Sequence, residues 1–212
     1  VRTKNMLSVL MQVTTVTVIG MIAWALWGYS LSFTDGGGLN KFIGGTSKMF
    51  LNGAVYHPTD IFAGVETFSV GVYIPELVFV IFQMTFACIT PALIIGAFAE
   101  RIKFWPLMLF VIGWSLLSYY PLAHMVWFWA GPDFLSVPDF AGDMRYLWGM
   151  GALDFAGGTV VHMSSGWSAL VLCIILGKRL GFPKEPMPPH SMVLCMVGTG
   201  MLWVGWYGFN AG

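Results

Sequence analysis

From Phe155 to Gly177 the chain carries no formally charged side chain. A stretch of that length can cross a bilayer, since about 20 apolar residues rising about 1.5 Å each span the hydrocarbon. Five apolar runs of this kind lie at Met6–Leu31, Glu76–Ala99, Phe104–Ala130, Ala156–Leu176 and Ser191–Gly212. Lipid offers no partner to a backbone N–H or C=O, so a run that crosses it must satisfy those groups as a helix or a closed barrel. The alternating ten-residue strands of a barrel are not visible. The runs predict an all-α fold, a polytopic transmembrane helical bundle, with the lipid bilayer as its solvent.

Composition supports that class. Hydrophobic residues make up 57% and charged residues 9% of the chain, where a soluble domain carries roughly a quarter charged residues. Net charge is zero and no basic stripe occurs, so a nucleic-acid partner is excluded. Cys88, Cys173 and Cys195 each sit inside an apolar run without CxxC or other metal spacing. They read as small packing residues, and no metal or cofactor is expected. The first run is too long for a signal peptide and lacks a small-residue cleavage pattern.

Basic residues set the orientation. The short pieces at 1–5, 100–103 and 177–190 hold Arg2, Lys4, Arg101, Lys103, Lys178, Arg179 and Lys184, seven of the ten. The longer connections at 32–75 and 131–154 hold only Lys41, Lys48 and Arg145. The positive-inside rule then makes the Arg101 and Lys178-Arg179 loops cytoplasmic, in a multi-pass protein of the cell membrane. The long acidic, Gly- and Pro-rich loops form an outer vestibule. The chain opens on a charged loop without Met and stops within an apolar run, so it is expected to be a fragment.

Three constellations carry possible chemistry. His162 lies in Gly157-Gly158-Thr159-Val160-Val161-His162, deep in the fourth run. An ionisable group there is expensive and marks a substrate or proton path by default. Gly158, His162, Ser165, Gly166, Ala169 and Cys173 fall at helical spacings and are expected on one face. Helix packing explains the small residues of that stripe but not the imidazole among them. Phe79, Phe82 and Phe86 line one face of the second run, and Trp127 and Trp129 close the third. Core packing and interfacial belts account for many such rings, while aromatic faces can also hold a cation. Asp154 stands before the fourth run as a helix N-cap, with a charge at the outer end that also favours a nearby cation. His124 reads as a structural hydrogen-bonding residue, and His57 and His190 as solvated loop residues.

With these motifs the chain resembles the Amt/Mep/Rh ammonium transporter family, most of all its Amt branch. The resemblance runs through Val1-Arg2-Thr3-Lys4-Asn5, Phe86-Ala87-Cys88-Ile89-Thr90, Gly96-Ala97-Phe98-Ala99-Glu100-Arg101, Ala123-His124-Met125-Val126-Trp127 and Gly177-Lys178-Arg179. Two stretches are highly specific, Ala152–His162 (ALDFAGGTVVH) and Gly205–Gly212 (GWYGFNAG). The resemblance implies an eleven-helix inverted-repeat fold, of which residues 1–212 would be a partial transporter domain, with a pore through each subunit of a homotrimer.

It also implies roles. Trp127 and Phe86 would recruit external ammonium, Phe86 and Phe209 would form the pore gate, and His162 would be the first of two pore histidines. Asp154 would be the acidic residue below the recruitment site. The second histidine and the Ser completing the recruitment site belong to parts of the family pattern beyond Gly212. The implied partners are ammonium or ammonia (methylammonium as an analogue) and a cytoplasmic regulatory protein of the PII type. A Rh-type gas channel and an ammonium-sensing receptor are the alternative readings. An enzyme is disfavoured because His162 has no Glu or His at metal-ligand spacing. A retinal photoreceptor would need a buried Lys, and no run contains one.

Overall fold

The computed structural model describes residues 1–54, 64–66, 72–128 and 146–211. Among them are five helical rods long and apolar enough to cross a membrane: Thr3–Phe33, Glu76–Phe98, Phe104–Trp127, Gly158–Leu176 and Met192–Asn210. Three rods are not uniform. The first runs as α1 (Met6–Ala23), a π-helical turn at Trp24–Gly28 and α2 (Tyr29–Phe33). The third runs as α4 (Phe104–Trp114), a π turn at Ser115–Tyr119 and α5 (Tyr120–Trp127). The fourth opens with a π turn at Gly158–Met163 and continues as α7 (Ser164–Leu176). The second is α3 (Glu76–Phe98), the fifth is α8 (Met192–Ala211), and α6 is the short Tyr146–Gly149. Two three-residue strands, β1 (Gly64–Glu66) and β2 (Tyr73–Pro75), pair antiparallel before α3, a small addition to an all-α bundle. Trp129, Arg145 and His57 lie outside the described residues.

Helix α3 is the axis of the packing, lying against α1 on one side and α7 on the other. Gly20 makes the first of these contacts close. A Cβ there would meet Cys88 Cα and Sγ at 3.3 Å, so the bare backbone lets α1 and α3 cross tightly. Pro91 lies inside α3 one turn later, and the helix runs through it to Phe98. Two buried clusters fill the bundle. One joins Trp24, Tyr29, Phe86, Tyr119, Tyr120, Val126, Val160 and Val161. The other joins Val16, Ile94, Ile95, Phe98, Leu107, Met108 and Val111 toward the opposite end.

Polar groups tie the rod ends. His124 is fully buried, with Nδ1 3.0 Å from Ser32 O and Nε2 2.7 Å from Asn40 O, and its ring stacks on Phe128 at 4.6 Å. It staples the third rod to the end of the first and to the loop that follows it. At the other end the Arg2 amide and Nε donate to the two Glu100 carboxylate oxygens at 2.7 and 2.8 Å, and Arg179 approaches at 3.5 Å. Burial pulls the Glu100 pKa up, but hydrogen bonds from Arg2 and Asn5 and the Arg2 charge outweigh it and bring it to about 2. Glu100 holds a left-handed backbone conformation, φ +70°.

Candidate functional site

Asp154 builds the outer end of the site. Its Oδ1 accepts from the amides of Gly157 and Gly158 at 2.6 and 2.9 Å, and its Oδ2 from Thr159 and Val160, both at 2.9 Å. The first N–H groups of a helix have no intrahelical partner, and a carboxylate is the strongest cap for them. The carboxylate is thus taken up by four amides of its own segment.

The π turn follows directly. The Gly157 carbonyl accepts from both Val161 N at 3.0 Å and His162 N at 2.9 Å, the second being the i→i+5 bond that widens the turn. Gly157 has φ +86°, and a Cβ on it would lie 2.8 Å from Val161 Cγ2 and 3.7 Å from Phe209 Cζ. Only glycine fits where the chain turns into the helix beside Phe209.

Four rods bring rings together here. Trp127, the last residue of α5, donates from Nε1 to the Asp154 backbone carbonyl at 2.8 Å, which fixes the indole plane. Phe86 meets Trp127 edge-to-face at 5.6 Å and Phe82 at 5.1 Å between centroids. Phe209 of α8 lies 4.9 Å from Phe86 between centroids, with the two ring planes tilted by 41°. Phe209 stacks on Trp206 at 4.8 Å, and His162 lies 6.0 Å from Phe209 and 5.6 Å from Trp206. Trp127, Phe86, Phe209 and His162 therefore form one unbroken file.

His162 is exposed beside a groove of about 320 Å³ lined with Met163, Gly166, Trp167 and Leu170. The expected single face of small residues is not found. Ser165 is buried, with Ala169 and Cys173 partly buried, whereas Gly158, His162 and Gly166 are exposed. A Cβ on Gly158 or Gly166 would meet nothing within 4 Å. The π turn offsets Gly158 and His162 from the face of α7, and within regular α7 Gly166 lies about 100° around the helix from its neighbour Ser165, so one edge of the stripe faces the bundle and the other does not. Trp206 is a site ring that the sequence reading missed, although its spacing of three from Phe209 on a helix could have found it. Almost all described side chains of α8 are exposed, so Phe209 is its main point of attachment to the bundle.

Comparison with known proteins gives this arrangement its relatives. The profile of the Ammonium Transporter Family matches residues 1–212. The chain belongs to this family.

An ammonium transporter of Bacillus subtilis is 41% identical over 212 residues, covering 100% of this chain and 45% of that protein. The ammonium transporter Amt1 of Archaeoglobus fulgidus is 35% identical over 212 residues, with the same coverage. Among solved structures, Saccharomyces cerevisiae Mep2 superposes with a TM-score of 0.72 at 32% identity, over 96% of this chain and 42% of Mep2. A structure titled Sensor Amt Protein gives 0.74 at 28% identity, over 99% of this chain and 47% of its own. The chain spans about half the length of the curated relatives it matches. The two curated relatives are named as ammonium transporters, not as enzymes, and family and five candidate spans make the chain a membrane protein.

Proposed function

We propose that this chain supplies one half of an ammonium transport pore, with Trp127 and Phe86 as recruitment site, Phe86 and Phe209 as gate, and His162 as the first histidine of the conducting path. The file of four rings contributed by four rods is the observation that carries this reading. Ammonium and potassium ions are similar in size, so a bare charge site would separate them poorly. Aromatic faces attract the cation by roughly 0.5–2 kcal/mol each. Closed Phe rings then make passage of a hydrated ion costly, because stripping its water is not repaid by carbon surfaces. Ammonia, being neutral, can pass and exchange hydrogen bonds with an imidazole that both donates and accepts.

Asp154 acts in this reading as the cap that holds the π turn and Trp127, with its charge adding attraction at long range. The longer protein works as a homotrimer in the cell membrane, with the Arg101 and Lys178-Arg179 loops cytoplasmic and open to a PII-type regulator. The deciding experiment is methylammonium uptake by the full-length transporter carrying His162→Ala. Uptake should be abolished or lose its selectivity, and unchanged uptake with unchanged selectivity would remove His162 from the path. Orientation has its own test: Gly38→Cys should label from outside intact cells, and Lys184→Cys only after permeabilisation.

A further inference from the structure

Both ring nitrogens of His124 point at backbone carbonyls, Nδ1 at Ser32 O at 3.0 Å and Nε2 at Asn40 O at 2.7 Å. A carbonyl oxygen only accepts, whatever the pH, so each contact needs an N–H from the ring. A neutral imidazole has one N–H and one bare lone pair. In either neutral tautomer, one nitrogen would set its lone pair against a carbonyl oxygen in a fully buried site. The imidazolium satisfies both contacts at once. The 2.7 Å separation lies at the short end of the N–H···O range, where charge-assisted bonds fall.

The surroundings favour a cation. Phe128 stacks on the ring at 4.6 Å, 14° from parallel, within the about 6 Å over which an aromatic face attracts positive charge. The charged and titratable groups on the elements around it are Tyr29 on α2, Asp35 and Lys41 on the loop after the first rod, Tyr119 and Tyr120 within the third rod, Tyr146 on α6, and Asp154 and His162 at the start of the fourth. The two carboxylates have amides of their own, Asp35 accepting from Gly37 and Asp154 from its four. Asn40 is half-buried, which gives the proton a route to solvent.

We propose that His124 is an imidazolium in the closed structure and a positioning residue for ammonium capture. Ser32 ends the first rod, Asn40 lies in the loop beyond it, and Trp127 stands three residues after His124 on α5. The proton holds these pieces together and so holds Trp127 in place. The contribution is present while the ring is protonated and is lost as rising pH removes the proton, because one carbonyl then faces a lone pair. The charge state rests on this geometry alone, while the positioning role rests on the transport reading.

The test uses the full-length protein with 15N-labelled histidine. The His124 resonances are assigned by through-space contact to the Phe128 ring, and both nitrogens should carry protons at about pH 7. One protonated and one bare nitrogen there overturns the proposal. Methylammonium, an alkylammonium like the Lys side chain, stays mainly protonated between about pH 6 and 8.5. Across that range its half-saturation concentration should rise at least about twofold, and by no more than the roughly 30-fold that the Trp127 ring can contribute. The midpoint should coincide with loss of the His124 proton in the spectrum. His124→Gln, whose amide offers a donor on one side and an acceptor on the other, should show the raised value at every pH. A flat parental profile, a midpoint elsewhere, or a variant profile parallel to the parent overturns the positioning role. Absence of saturable uptake by the parent overturns the transport reading and with it the positioning role, while the spectrum decides the charge state by itself.

Discussion

The Trp127 indole and the Asp154 backbone carbonyl are joined by a 2.8 Å hydrogen bond. The ring that ends the third rod is thereby held by the residue that precedes the fourth, whose carboxylate holds the amides of Gly157, Gly158, Thr159 and Val160. The Trp127 ring, the Asp154 cap and the turn that carries His162 are one mechanical unit.

Trp127→Leu keeps apolar bulk and removes most of the attraction for a cation. The half-saturation concentration for methylammonium in the full-length transporter should rise by about 0.5–2 kcal/mol, roughly 2- to 30-fold. The maximum rate should fall less. An unaltered half-saturation concentration would leave Trp127 as a membrane-interface anchor.

Asp154→Asn replaces two acceptor oxygens with one and turns an NH2 group toward amide donors. Melting of the purified full-length protein should show a loss of at least about 2 kcal/mol, from lost charge-assisted bonds and an unsatisfied helix start. Methylammonium uptake should fall with it, because Trp127 and His162 lose their common support. Parental melting would mean that the four amides are satisfied in some other way.

Gly157→Ala forces a side chain into a left-handed conformation against Val161 and Phe209. The cost should be about 1–3 kcal/mol, with the Phe86–Phe209 contact loosened. Equal thermal stability of the variant and parent would show that the turn can relax.

Glu100 predicts an acid dependence with a definite sign. Its pKa is lowered from 4.5 to about 2 in the folded protein, so its contribution is complete above about 4.5 and is lost as pH falls through about 2. Melting temperature recorded between pH 5 and 2 should drop more for the parent than for Glu100→Gln, which lacks the contribution at every pH. Parallel curves would show that the Arg2–Glu100 pair adds no stability.

Much of this molecule could be read from its residues. The five apolar runs locate the rods to within a few residues, because length and lack of charge are decided by the bilayer and not by neighbouring helices. Asp154 could be read as a cap because capping is local chemistry. The π turns could not, since one i→i+5 bond depends on what packs around the turn, and the stripe of small residues drawn through Gly158 and Cys173 also divides within regular α7, between buried Ser165 and exposed Gly166. The pairing of Arg2 with Glu100 joins segments 98 residues apart, a separation that no local pattern encodes. Trp206 joins the site only because α8 lies with its Phe209 against Phe86.

The widened turn at Gly158–Met163 gives the fourth rod two independent angular settings. Downstream, Ser165 and Ala169 keep α7 seated in the bundle, while upstream the extra residue sets the direction of His162 by itself. Without the extra residue, the imidazole would sit about 100° away around the helix from where it now points, relative to the face that α7 presents to the bundle. One hydrogen bond from His162 N to Gly157 O thus fixes the angular offset between the histidine and the helix behind it.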